Sequence, residues 1–221
     1  KIVDLGKNKA EVAARNVWEV DPFAEIDVWE SGVTKDNLER FICFPSGVDI
    51  FIDEMDSVDL KILSRVICKR HKIPVLMATD NGDGIILDVE RFDLEPEREI
   101  FHGLIGGEID EDSIESFANL DFRQWLRLAT KIVSPDFLTE KMRDSILCIG
   151  KTISTVPQLG TSATLAGAAI SFIVRRIANK EDTPSGRYTI NFEESLIPDH
   201  NESATVKERE LKKQKFLEVF K

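Results

Sequence analysis

"GVDIFIDEMDS", residues 47–57, sets a short, mostly apolar run, Val48 to Ile52, directly against Asp53, Glu54 and Asp56. Burying three unpaired carboxylates is costly, so these acids mark the end of a strand rather than its middle. The stretch that follows, "SVDLKILSRVICKRH" (57–71), has helical spacing, with Ile62, Leu63, Val66 and Ile67 as its inner face. "KIPVLMAT" (72–79) then reads as a strand that is apolar almost throughout, as expected where both faces of a parallel strand are covered. Strand, helix, strand is the repeating unit of a doubly wound sheet.

The same alternation extends upstream. "NKAEVAARNVWEV" (8–20) is a helix with Ala10, Ala13, Ala14 and Val17 on one face, Asn8 in the N-cap position and Glu11 placed for a capping box. Asp21-Pro22 ends it. "EIDVWE" (25–30) alternates like a short strand, and "TKDNLERFI" (34–42) returns to helix with Thr34 as its cap. The spacing predicts that segments 25–30, 48–53 and 73–79 pair in parallel. "DNGDG" (80–84) is a turn cluster that releases "IILDV" (85–89) as a further strand. Beyond it, "GEIDEDSIESF" (107–117) is acidic, and helices are expected near 113–131, 136–149 and 161–180. "GRYTINF" (186–192) reads as a strand, "ESLIPDHNES" (194–203) as a loop, and 204–220 as a charged helix. The expected fold class is α/β: a partial doubly wound, Rossmann-like, mostly parallel sheet with added helices. It divides into an α/β domain over 1–192 and a tail or linker helix over 193–221.

Composition narrows the function classes. The 221 residues are 42% hydrophobic and 31% charged, an ordinary globular balance. Lys and Arg number 29 against 40 Asp and Glu, a net charge of −11. That argues against a nucleic-acid backbone or an anionic membrane as partner, but not against a nucleotide, which needs only local positive charge. No apolar stretch is long enough to span a bilayer. Three scattered cysteines, Cys43, Cys68 and Cys148, without a C-x-x-C, fit a reducing, cytoplasmic setting and neither a disulfide framework nor a structural zinc motif. A first residue of lysine rather than methionine is expected of a chain processed or cut from something longer.

Two residues stand out for chemistry. Ligands of open α/β sheets bind beyond the carboxyl ends of the strands, where a carboxylate such as Asp56 can hold magnesium. The competing reading is that Asp56 or Ser57 merely caps the next helix. Lys9 lies in the first turn of a helix, where the dipole favours acids, so it is well placed only if it meets an anion; a solvated surface lysine is the alternative. "DNGDG" fails as a calcium loop, because Gly82 and Ile85 fall on ligand positions and no glutamate stands at the twelfth place. "HGLIGG" (102–107) lacks phosphate-loop spacing, and His102 and Cys148 show no catalytic partner.

Gly6, Lys9, Ala10, Glu11, Ala13 and Asp21-Pro22, followed by the strand ending in Asp53-Glu54-Met55-Asp56 and "KIPVL" (72–76), resemble the ThiF/MoeB family of bacterial relatives of ubiquitin-activating enzymes. "PQLGTSATLAGAAISFIV" (157–174) is similar to that family's late loop and small-residue helix. The resemblance implies ATP and Mg2+ as cofactors, with Lys9 on the ATP phosphates and Asp56 at the metal. It implies an adenylyltransferase that activates the C-terminal carboxylate of a ubiquitin-like or sulfur-carrier protein, working as a homodimer whose sticky surface would lie in 113–180. Asp53 is expected to support the strand end. Ser57 stands where the family has asparagine, and the family's glycine-rich loop precedes Lys9 and is not in these residues, so this portion alone is expected to be inactive. The alternative is a non-catalytic nucleotide-binding or scaffolding module. Residues 84–106 resemble a branch in which such a domain is fused to a nitroreductase-like one.

Overall fold

The computed structural model describes residues 1–106 and 121–219. Two helices precede the opening stretch, α1 (Lys9–Trp18) and α2 (Lys35–Cys43). The Asn8 side chain caps α1 by accepting the Ala10 amide at 2.8 Å. Thr34 starts α2, its own amide held by Asn37 Oδ1 at 2.6 Å. Strand β1 (Phe51–Ile52) is very short. Helix α3 (Val58–Arg70) carries the chain back to β2 (Val75–Asp80), which lies parallel to β1 with Phe51 opposite Val75. Strand β3 (Gly84–Glu90) folds antiparallel onto β2 across the Asn81–Asp83 turn. Then come α4 (Phe122–Val133), α5 (Glu140–Cys148) and α6 (Gly160–Ala178). Strand β4 (Gly186–Asn191) pairs antiparallel with β3, and α7 (Phe192–Leu196) and α8 (Ser203–Val219) finish the chain. Among the described residues no helix is long and apolar enough to cross a membrane.

The fold is α/β with an open four-stranded sheet in the order β1-β2-β3-β4, a partial Rossmann-like arrangement. Among the strands of the described residues, parallel pairing is confined to β1 and β2. The two-strand reversal at Asn81–Asp83 is too short for a crossover, and a connection of that length permits only an antiparallel neighbour. Segment 25–30 is extended but forms no ladder with the described residues. It is held instead by Trp29, which packs edge-on to Phe41 at 5.2 Å, and by the Asn8 side chain donating to the Glu30 carbonyl at 2.7 Å. The acidic segment 107–117 and the start of the helix expected at 113–131 lie outside the described residues. The loop expected at 194–203 holds the last turn of α7 and a short 3₁₀ turn, Pro198–Asn201.

Alternation along the strands divides the core in two. Leu76 and Ala78 of β2 and Ile85, Leu87 and Val89 of β3 face α6, which meets them with Ala166, Ala169, Ile170 and Ile173. Alanines there let the helix lie close to the sheet. On the other face Val75 and Met77 join Phe51, Ile62, Ile67 and Cys68, with Leu38 and Ile42 of α2 packed outside α3. The β3 residues pointing to this second face are not all apolar: Asp88 and Glu90 lie among them and are buried.

Their charges are met by arginines. Arg65 of α3 is fully buried; its Nε donates to Glu90 Oε2 at 2.6 Å and its Nη1 to Asp53 Oδ2 at 2.5 Å. The guanidinium lies 3.9 Å from the centre of the Phe101 ring. Asp53 also accepts from Lys61 Nζ at 3.0 Å and from the Met55 amide at 3.0 Å. Glu90 Oε1 accepts the Phe101 amide at 2.7 Å, which helps hold Phe101 and His102 at φ 49° and 55°, a left-handed turn that side-chain-bearing residues seldom adopt. Alongside, Arg187 of β4 clasps Asp88 through Nε at 2.6 Å and Nη2 at 2.9 Å, and His102 Nε2 lies 2.9 Å from the same carboxylate.

Replacing Arg65 by Ala leaves Asp53 and Glu90 buried without their main counter-charge, and should cost about 3–5 kcal/mol in urea unfolding. A loss below about 1 kcal/mol, the range of a surface pair, would show that the network carries no stability. Acid should unfold the chain through the same groups. Burial alone would raise the Asp53 carboxyl, but Arg65 and then Lys61 outweigh it; at Asp88, hydrogen bonds from His102 and Arg187 outweigh burial. Both carboxyls are therefore held below their usual range. Such a group binds its proton less readily folded than unfolded, where the value is about 3.9. Its stabilising contribution is full above that value and is lost as pH falls through the lower folded value. Thermal melts should be flat from neutral pH to about pH 5 and fall steeply below about pH 4. Asp88→Asn should melt lower at neutral pH and lose less on acidification.

Candidate functional site

Asp53, Glu54 and Asp56 are neighbours in sequence with three different surroundings. Asp53 turns inward to the arginine described above. Glu54 turns back along β2, and its carboxylate accepts the Ala78 amide at 3.1 Å. Burial of that carboxyl raises its pKa, with the Ala78 hydrogen bond opposing. Although much of the residue is exposed, the carboxyl itself sits against the strand. Asp56 is exposed, and its side chain makes no hydrogen bond or ion pair with the described residues. Nor does it cap α3: Ser57 occupies that position, its side chain accepts no helix amide, and its hydroxyl donates to Asp59 instead. The capping role that spacing offered to Asp56 and Ser57 is not realised.

Asp56 lines a cleft of about 830 Å³. Its edge is made by the carboxyl ends of β1 and β2, through Ile52, Glu54, Thr79 and Asp80, together with Lys61 of α3. The start of α6, Leu159 and Gly160, closes the far side, and Trp125 of α4 adds an aromatic wall. The placement follows from topology. The parallel pair ends at this edge, and the chain leaves β1 toward α3 and β2 toward the turn, opening a crevice between the departing segments.

Lys61 was not anticipated from sequence. Burial lowers its pKa, and the Asp53 carboxylate pulls the other way. Lys61 Nζ donates to Asp53 Oδ1 at 3.0 Å, and the residue lines the cleft. Asp80 was also missed; it lay in what reads as a turn signal, yet it ends β2 on the same rim.

Lys9 is the first residue of α1 and is exposed, without an ion pair to the described residues. It stands outside the lining of the cleft. Helix α1 is loosely attached, with Ala14 its one buried residue and Val17 and Trp18 partly open to solvent.

The donors on the rim are oxygen atoms. Asp56 is unengaged and Asp80 is half-exposed beside it on the lining. That set fits magnesium, which takes one or two carboxylates and keeps waters and phosphates in its other positions. It does not suit a softer metal, which would need nitrogen or sulfur.

The chain is 34% identical over 195 residues to an uncharacterized protein of Mycobacterium tuberculosis, an alignment covering 88% of this chain and 26% of that protein. It is 24% identical over 166 residues to tRNA threonylcarbamoyladenosine dehydratase of Escherichia coli, covering 75% of this chain and 60% of that enzyme. The chain thus spans less than two thirds of either relative. The family model described as ThiF family matches residues 1–210. With that match over nearly its whole length, the chain belongs to the ThiF family.

Proposed function

We propose that this domain serves an ATP- and Mg2+-dependent adenylyltransferase that activates the C-terminal carboxylate of a ubiquitin-like or sulfur-carrier protein. The observation that carries the reading is the exposed, unengaged Asp56 on the rim of a cleft at the carboxyl ends of two parallel strands. In this reading Asp56 holds the magnesium and Lys9 meets the ATP phosphates. Magnesium would supply positive charge that offsets the phosphates when the carboxylate is adenylated and pyrophosphate leaves. Asp56 would hold that ion, and Lys61 would add positive charge to a rim that is otherwise acidic. The apolar wall at Trp125 and Ile170 suits an extended peptide tail rather than a free ion.

A net charge of −11 favours a protein carboxylate over a polyanion as substrate. That matters because the name of the Escherichia coli relative gives that enzyme a tRNA nucleoside. Exposed Leu159 and Phe172 at α6 support a homodimer through that region. Three cysteines free of disulfides support a cytoplasmic setting.

The test is ATP–pyrophosphate exchange in the full-length protein with magnesium and a carrier protein. Asp56→Ala should lower exchange by about 100-fold or more while the urea midpoint stays within about 0.5 kcal/mol of the parent. Exchange that survives this substitution would sink the metal role, and a tRNA-dependent rather than carrier-dependent reaction would sink the substrate class. Lys9→Ala should weaken ATP binding by about 1.5–3 kcal/mol, the worth of a charge-assisted hydrogen bond, with no change in melting. Unchanged ATP affinity would remove Lys9 from the site.

A further inference from the structure

Helices α2 and α3 end side by side, and their last turns bring together three side chains unrelated to the cleft. Glu39 and Cys43 are one turn apart on α2, and His71 caps the C-terminus of α3. The ligand atoms of these three residues all lie within 4.8 Å of one another. His71 Nε2 is 3.2 Å from Glu39 Oε1. We propose that Glu39, Cys43 and His71 form a site for a single zinc ion that ties the C-terminal ends of α2 and α3 together.

The ligand set is the first argument. One thiolate, one imidazole and one carboxylate are the three donor types zinc takes, and three protein ligands leave a fourth position for water. The second argument is spacing. Zinc–ligand bonds of about 2.0–2.3 Å put neighbouring ligand atoms of a tetrahedral site about 3.3–3.8 Å apart. The Glu39–His71 edge, at 3.2 Å, is close to that length. Rotation of an exposed glutamate and a half-exposed cysteine brings the thiol in to match. The third argument is the field. Two helix C-termini converge here, and the negative ends of their dipoles favour a cation between them.

A surface ion pair accounts for only part of this arrangement. Arg70 Nη2 holds Glu39 Oε1 at 2.7 Å, so the glutamate and histidine have an ordinary salt-bridge explanation. Such a pair stabilises little, and it does not call for a thiol at Cys43. Zinc would displace Arg70 from that oxygen or take the other one. None of the three ligands lines the cleft, so the ion acts on the helix pair and not on the chemistry at Asp56.

The test is titration of the protein with Co2+, which reports four-coordinate geometry and thiolate ligation in its visible and near-ultraviolet absorption. One equivalent per chain should give intense visible bands and a thiolate charge-transfer band, and one equivalent of Zn2+ should erase both. Cys43→Ser should abolish the charge-transfer band. His71→Ala, which removes one of the three ligands, should weaken binding by about tenfold or more while far-ultraviolet circular dichroism stays that of the parent. Cys148→Ser should leave the spectrum unchanged. A spectrum that persists in Cys43→Ser, one that vanishes in Cys148→Ser, or no tetrahedral spectrum in the parent would overturn the site.

Discussion

Arg65 is the constraint around which the α3 side of this domain is arranged. A guanidinium with no exposed surface needs acceptors on more than one edge, and it finds them in Asp53, just past β1, and Glu90, at the end of β3. The strands bearing those carboxylates are separated by β2 in the sheet, so one side chain spans three strands. Glu90 in turn takes the Phe101 amide, and Phe101 lays its ring on the guanidinium. The left-handed turn at Phe101–His102 is thus held at both its backbone and its side chains. A buried pair of this kind can cost as much in desolvation as it returns in attraction. What it gives here is position: β1, β3, α3 and the turn can satisfy their charges in one arrangement only.

That position also explains why three adjacent acids have different characters. Once Asp53 is drawn inward by Arg65, the chain direction past β1 is set. Glu54 is then turned along β2, and Asp56 comes out on the rim, its side chain without a hydrogen bond or ion pair to the described residues. The structural acid and the candidate ligand acid are separated by two residues and are not interchangeable. Asp53 is held ionised by its arginine to steady the strand end, which leaves Asp56 the freedom a metal ligand requires.

Much of the frame was legible in the sequence. The helix at 58–70, the strands on either side of it and the small-residue helix at 160–178 all follow from apolar spacing, and Asn8 capped its helix as its position suggested. The inner face of α3 was drawn slightly off. Leu63 and Val66 are only half-buried, while Arg65 and Cys68 share the fully buried stripe with Ile62. An arginine is normally counted as polar surface, and its partner Glu90 lies 25 positions away. No periodicity links the two, so the pair is invisible until the strands are placed. The same holds for His102, which shows no catalytic partner in the sequence and whose structural partners, Arg98 and Asp88, appear only once the fold is placed. Arginine only donates, so Arg98 Nη2 at 2.9 Å makes Nδ1 the acceptor and leaves Nε2–H to donate to Asp88. The neutral tautomer is fixed by two residues at different distances along the chain.

Segment 25–30 failed as a strand for a related reason. Its alternation of Ile26 and Val28 is real, but a strand exists through its neighbour, and local pattern cannot supply one. Helices close their own hydrogen bonds within one segment, so α1 and α2 are legible from local pattern. The antiparallel run of β3 and β4 shows the same dependence in another form. An apolar strand read in isolation looks parallel because it is covered on both faces, and β3 is covered on both faces, by α6 on one side and the charged layer on the other. Burial sets composition, and the short Asn81–Asp83 turn sets the direction of β3 against β2; β4 arrives after the long 91–185 connection, which leaves its direction to the sheet edge. The parallel pair that survives, β1 with β2, is the one joined by a full helix, and it is at that pair's carboxyl edge that the cleft opens.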